Sequence, residues 1–217
     1  SARSYSQAEV AYRLGNPAID DGKTLSAYSR VFAGGGTQNS AIPIYAPMIA
    51  GGLRWKPFSN QAINLAVEEQ TPLDKTSYSQ TTAMLRASAS FFNTGKYSDD
   101  WHPNGSGWNA QNLYLDAAHY MTSGLGSLTA DYRISRHEKI ANGQTIEPYT
   151  HLQWNELNNQ VNKDLRIGLG VRWNWWSGQS RYDAYPSKTS LGIEFQHAFT
   201  TYLNERQAVF VTFGGRW

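Results

Sequence analysis

Arg206–Trp217 reads Arg-Gln-Ala-Val-Phe-Val-Thr-Phe-Gly-Gly-Arg-Trp. Val209, Val211, Phe213, Gly215 and Trp217 fall on one face; Ala208, Phe210, Thr212, Gly214 and Arg216 fall on the other. A period of two is the signature of a β-strand. A strand left bare at a sheet edge templates pairing with other chains, and closure onto the first strand of its own sheet removes that hazard.

The same alternation recurs upstream in Ala8–Leu14, Leu25–Ala33, Ile49–Trp55, Ile63–Val67, Ala83–Phe91, Leu113–Leu115, Leu128–Ile134, Ile146–Trp154, Leu165–Trp173 and Leu191–Phe199. The window Asn109–Met121 also scans as a helix, and Pro148 predicts a bulge or an early place in its strand. The repeated unit is the strand itself, with no longer period of the solenoid kind. The fold class is all-β. The choice lies between a soluble sandwich, with its apolar face inward, and a transmembrane antiparallel up-and-down barrel of the bacterial outer membrane, with that face toward lipid.

The two faces favour the barrel. One is aliphatic and closes at strand ends in Trp55, Phe91, Trp154, Trp173, Phe199 and Trp217, the pattern of an aromatic girdle. The other is predicted to line the lumen and carries Arg13, Arg30, Arg54, Arg86, Asp116, Asp131, Arg133, Arg166, Arg172 and Glu194. Cations and acids on that face are expected to neutralise each other across neighbouring strands, with Glu9, Glu68 and Glu147 among the acids. Spanning strands need about 9–11 residues and bacterial single-chain barrels have even strand counts, so about 12 strands are expected. A missed strand would lie in Gly34–Met48 or Asn93–Asn109. The short Asn204–Glu205 turn sits awkwardly with a periplasmic Trp217, because outer turns are usually the longer ones.

Composition sets further bounds. The chain of 217 residues is read as a single barrel domain over residues 1–217. No run of 18 apolar residues is present, so no helix is expected to span a membrane. A mean hydropathy of −0.55 is no obstacle, since alternation hides the apolar band. The 8 Trp and 13 Tyr suit interfacial girdles. A net charge of +2 gives no field for nucleic acid, which is not an expected partner. Without Cys there is no thiolate chemistry and no disulfide. No signal peptide begins at Ser1; if the protein is secreted, a mature form or a C-terminal fragment is expected.

Catalytic and metal motifs are sparse. No HExxH or Gly-x-Ser-x-Gly pattern occurs. Ser135 and His137 share a strand face with Asp131, so a hydrolytic triad is geometrically conceivable. A polar strand end is the reading preferred. Asp99, Asp100 and His102 offer cation ligands, yet Pro103-Asn104-Gly105 beside them reads as turn chemistry. Asp20-Asp21-Gly22 is read as a turn, and Gly34-Gly35-Gly36 lacks the residues of a phosphate loop. Trp173, Trp175 and Trp176 suit an interface anchor better than a sugar platform. No catalytic residue, metal or cofactor is therefore expected, and the protein is read as a non-enzyme.

Several words carry a family resemblance. They are Gly52-Leu53-Arg54-Trp55-Lys56-Pro57, Asn64-Leu65-Ala66-Val67-Glu68 and Arg86-Ala87-Ser88-Ala89-Ser90-Phe91-Phe92, then Tyr97-Ser98-Asp99-Asp100-Trp101-His102-Pro103-Asn104-Gly105 and Gln111-Asn112-Leu113-Tyr114-Leu115-Asp116-Ala117-Ala118-His119-Tyr120. Tyr182-Asp183-Ala184-Tyr185-Pro186, Gly192-Ile193-Glu194-Phe195-Gln196-His197-Ala198-Phe199 and Thr201-Tyr202-Leu203-Asn204-Glu205-Arg206 follow in order. Over Leu25–Trp217 the chain resembles the C-terminal domain of the bacteriophage N4 adsorption protein A family. The resemblance implies an outer-membrane phage receptor, preceded in the family by periplasmic helical repeats. It implies outer-membrane lipid and a bacteriophage tail protein as partners. It also implies a role in exopolysaccharide export alongside an inner-membrane glycosyltransferase. The alternatives are an outer-membrane hydrolase acting on lipid or glycan and a soluble β-sandwich glycan-binding domain.

Overall fold

A computed structural model describes residues 3–15, 23–36, 47–73, 81–92, 95–157, 162–178, 187–201 and 206–216. The strands are β1 (Arg3–Leu14), β2 (Thr24–Gly36), β3 (Met48–Lys56), β4 (Ala62–Pro72), β5 (Thr82–Phe91), β6 (Gly107–Tyr120), β7 (Leu125–Ala141), β8 (Gln144–Leu157), β9 (Asn162–Ser177), β10 (Ser187–Thr200) and β11 (Gln207–Arg216). A 3₁₀ turn at Gly95–Tyr97 is the single helical element among the described residues. The strands form one 11-stranded sheet in sequence order, β1 to β11. Each ladder described is antiparallel. Among the described residues no ladder joins β1 to β11.

Among the described residues eleven strands stand where an even number was expected. Of the two stretches suspected of hiding another, residues 37–46 lie outside the described residues. Residues 95–106 hold the 3₁₀ turn and an irregular loop before β6 begins at Gly107. Asn109–Met121, ambiguous by period, lies almost wholly in strand β6. Pro148 is the fifth residue of β8 and faces outward. The β7–β8 ladder breaks between Ser135↔Tyr149 and Glu138↔Ile146 without changing register. A residue with no N–H cannot donate to a ladder, so pairing lapses there without a bulge. Asp20-Asp21-Gly22, Asn204–Glu205 and Trp217 lie outside the described residues.

The chain divides into two compact units, Ser1–Ala89 with Asp116–Gly126 and Ser90–Leu115 with Ser127–Trp217. Both invert the burial of a soluble sandwich. In the first, Glu68 is 1% exposed while Val67 beside it is 57% exposed. In the second, His137, Glu147 and Asn174 are fully buried, while Leu169, Val211 and Phe213 are 61%, 76% and 75% exposed. Alternation therefore places ions and amides on the covered face and aliphatics on the open one.

Candidate functional site

The predicted lumen residues occupy the covered, polar face in both units. In the first unit Tyr28 of β2 faces Gly52 of β3, and Gly52 faces Glu68 of β4. The Tyr28 hydroxyl donates to Glu68 Oε2 at 2.8 Å. Arg30 Nη2 and Gln70 Nε2 each donate to Glu68 Oε1 at 2.6 Å. A buried carboxylate holds its charge only when its lone pairs are met in this way. Arg54 forms a bidentate pair with Glu9 at 2.9 Å and lies 4.4 Å over the Tyr28 ring. Arg86 pairs with Asp116 at 2.5 Å. Arg13 donates to the Lys23 carbonyl at 3.3 Å.

The second unit contains a matching centre. Tyr149 of β8 faces Gly170 of β9, and Gly170 faces Glu194 of β10. Glu194 Oε2 accepts from the Tyr149 hydroxyl at 2.6 Å; Oε1 meets Gln196 Nε2 at 2.6 Å and His151 Nδ1 at 2.9 Å. Asp131 approaches the other ring nitrogen of His151 at 3.0 Å. Arg172 lies 4.4 Å over the Tyr149 ring, and Arg166 donates to Asp164 at 2.6 Å. Of the arginine–acid pairs only Arg86–Asp116 joins adjacent strands: Arg30 and Arg54 reach Glu68 and Glu9 one strand further on, and Arg166 meets Asp164 of its own strand. Asp131 and Glu194 meet a histidine, and Glu147 takes the Asn174 amide.

A third centre lies within the second unit, where the loop between β5 and β6 folds onto the covered face. Asp99 of that loop takes Lys188 Nζ at 2.5 Å and His137 Nε2 at 2.8 Å, with Arg133 at 3.8 Å. Burial raises the carboxyl pKa of Asp99, but the His137 hydrogen bond and the Lys188 and Arg133 charges outweigh it and hold the group well below the usual range. Trp101 of the same loop packs edge-on against Trp108 and Trp176. His102 stacks on Trp108 at 5.2 Å, and Trp108 stacks on His137 at 4.5 Å. Burial pushes the His102 pKa down. Lys139 closes the loop by donating to the Pro103 carbonyl at 2.8 Å.

Hydrogen-bond counting fixes the His137 tautomer. Trp176 Nε1 and Asn174 Nδ2 both reach Thr145 Oγ1, at 3.1 and 3.2 Å, and Asn174 Nδ2 also stands 3.5 Å from His137 Nδ1. Asn174 cannot be flipped, because Nδ2 also donates to Glu147 Oε2 at 3.1 Å. His137 Nδ1 is then the acceptor, from Thr145 Oγ1 at 3.3 Å or from Asn174 Nδ2 at 3.5 Å. The ring proton sits on Nε2 and points at Asp99.

Asp99, His137 and Glu147 bring ligand atoms within 4.8 Å of one another. Glu147 Oε1 and Asn174 Oδ1 are buried acceptors with no partner, which a cation would suit. A metal bound there would have to displace the Nε2 proton and part His137 from Asp99, and Lys188 and Arg133 already supply positive charge beside Asp99. In this arrangement Asp99 and His137 are partnered with each other, and Asp99 also with Lys188. Ser135, His137 and Asp131 share a face but do not assemble: His137 faces Asp99 and Thr145, and Asp131 faces His151. Asp99, Asp100 and His102 also part, since Asp100 takes the Ser98 hydroxyl and His102 stacks on Trp108.

Trp55, Phe91, Trp154, Trp173 and Phe199 all lie on the open face, 40–53% exposed. Trp173 and Trp175 pair there at 4.5 Å, while Trp176 turns inward to the aromatic cluster. The three tryptophans do not act together. Sequence reasoning missed the partnership of Asp99 with His137 and Lys188. Its members are 38 and 89 residues apart, and no local spacing announces them.

Comparison with known proteins gives three findings. The family described as "Bacteriophage N adsorption protein A C-term" matches residues 39–213. "Bacteriophage adsorption protein A" of Escherichia coli (strain K12) is 52% identical over 221 residues, covering 100% of this chain and 22% of that relative's length. Among solved structures, OmpTdeltaL8, a loop L8 deletion mutant of the Vibrio cholerae outer-membrane protein OmpT, has a TM-score of 0.40 and 11% identity, over 88% of this chain and 61% of that one. By its family match and its identity to the E. coli relative, the chain belongs to the bacteriophage adsorption protein A C-terminal family.

Proposed function

We propose that this chain is the outer-membrane β-barrel part of a bacteriophage adsorption receptor. The observation that carries the membrane reading is the inverted burial, with Glu68, Glu147 and Glu194 covered and Leu169, Ile193 and Phe213 open. Water is a poor solvent for that open face and lipid a good one. The name of the 52% identical relative supports the receptor role. Phage contact would fall on connecting loops, because loops on a rigid scaffold carry recognition. The test is adsorption to cells displaying the full-length protein with its connecting loops deleted one at a time. Loss in at least one folded deletion is expected, and unchanged adsorption in all of them refutes the reading.

Two further parts belong to the same reading. The polar face is the surface a passing polysaccharide would meet, which supports an export role. Surface polysaccharide that stays constant when the interior is plugged would remove that role. The protein is a non-enzyme on this reading: Thr145 and His137 are fully buried, out of reach of a substrate. Lipid or glycan hydrolysis that disappears in Ser135→Ala would overturn that statement.

A further inference from the structure

The two carboxylate centres on the covered face are built from the same register positions. Tyr28, Gly52 and Glu68 lie abreast on β2, β3 and β4; Tyr149, Gly170 and Glu194 lie abreast on β8, β9 and β10, six strands later. Two residues beyond each tyrosine stands the basic group that meets the glutamate, Arg30 or His151. Two beyond each glycine stands an arginine over the tyrosine ring, Arg54 or Arg172, at 4.4 Å in both. Two beyond each glutamate stands a glutamine donating to Oε1 at 2.6 Å, Gln70 or Gln196.

The agreement extends to a fourth strand. Gln7 of β1 pairs with the residue four beyond Tyr28 and meets Arg30 at 3.4 Å. Asp131 of β7 pairs with the residue four beyond Tyr149 and approaches His151 at 3.0 Å. Outward neighbours agree at Leu53 and Trp55 against Val171 and Trp173, and at Leu65 and Val67 against Leu191 and Ile193, while Glu69 stands against Phe195 and differs.

We infer that β1–β4 and β7–β10 are two copies of one four-strand unit, and that the glutamate centre is the device by which each copy fixes its register. The physical need is specific. A one-residue slip turns every side chain to the wrong face, but a two-residue slip restores the alternation. Alternation therefore cannot choose between registers two residues apart. The centre can, because Tyr28 and Arg30 reach across β3 to Glu68, as Tyr149 and His151 reach across β9 to Glu194. A slipped strand would carry these donors away and leave a buried carboxylate unmet. The glycine leaves room for the bridge. At Gly170 a Cβ would lie 2.4 Å from the Tyr149 ring; at Gly52 it would instead meet the β4 backbone, 2.3 Å from the Val67 carbonyl, so the space there lets the neighbouring strand approach. Copies six strands apart are a period longer than the single strand, which is the repeat the sequence alone suggests.

The test uses the absence of native cysteine. Val31 pairs with Ile49 on the open face, and Leu152 pairs with Ile167 at the equivalent place. Double cysteines at these pairs report the native register. Val31 with Gly51, and Leu152 with Leu169, report a two-residue slip, since diagonal neighbours are too far apart to bridge otherwise. Folded protein in detergent is oxidised and the products are compared. With intact centres, cross-linking is expected at the native pairs only. In Arg30→Met with Glu68→Gln, and separately in His151→Met with Glu194→Gln, the slipped-to-native ratio is expected to rise at least about tenfold, as suits the loss of a charge-assisted hydrogen bond. A folded variant of either kind that keeps only the native cross-link overturns the register role. The exchange Gln7→Asp with Arg30→His puts the second copy's residues into the first. It is expected to fold with native cross-links only, and failure to fold or a slipped product overturns the equivalence, whatever the broken centres do.

Discussion

Asp99→Asn is the sharpest probe of how the β5–β6 loop is held. The asparagine keeps an acceptor for His137 Nε2 but removes the charge facing Lys188, whose side chain is only 10% exposed. Breaking a buried ion pair by removing one partner costs about 3–5 kcal/mol. Asp99 keeps 23% of its side-chain exposure, so about 2–3 kcal/mol is expected after that discount. The cost falls on loop docking and leaves the strands in place. It should therefore show as local opening, with amide exchange of Asp100 and Lys139 faster by about 30–150-fold. These amides donate to Ser98 Oγ and to the Ser106 carbonyl. Exchange in β11, far along the chain, should not change. Lys188→Met should produce a similar opening, and the double variant should cost less than the sum of the two. Unchanged exchange at Asp100 and Lys139 in Asp99→Asn would refute the view that this ion pair holds the loop.

Three other outcomes follow from the same geometry. Because the Asp99 pKa is lowered on folding, its contribution should be complete above the unfolded carboxylate range near ~4 and decline as pH falls below it toward the folded value; exchange at Asp100 between pH 7 and 2 checks this, and Lys188→Met should flatten the acid dependence. Gly170→Ala sets a methyl 2.4 Å from the Tyr149 ring, so a loss of about 1–3 kcal/mol in the unfolding free energy in detergent is expected from overpacking, and no loss would mean the ring moves freely. Ile193→Arg on the open face should cost about 2–4 kcal/mol in a bilayer if that face meets lipid at mid-depth; an unchanged unfolding midpoint in lipid would favour a soluble sheet.

The strands themselves were legible in the sequence. Each of the alternating segments, from Ala8–Leu14 to Arg206–Trp217, lies in or overlaps one strand of the sheet, because a period of two is a local property that neighbouring residues display without help. The assignment of faces was legible for the same reason: Leu169 and Val171 point one way and Arg166 and Arg172 the other. The aromatic ends and the family words needed nothing beyond the order of residues.

What joins across the sheet was settled only by the tertiary structure. Asp99 reads as turn chemistry until the loop brings it to His137 and Lys188. Ser135, His137 and Asp131 read as a conceivable triad until their partners prove to be different. The paired units were hidden for a further reason. Loops of unequal length separate Tyr28, Gly52 and Glu68 from one another, and again Tyr149, Gly170 and Glu194, so no fixed spacing exposes the repeat. The ladder removes the loops and lays each trio abreast. Local periodicity decides that a strand forms and which face is polar; only contacts between distant strands decide the register at which those faces meet.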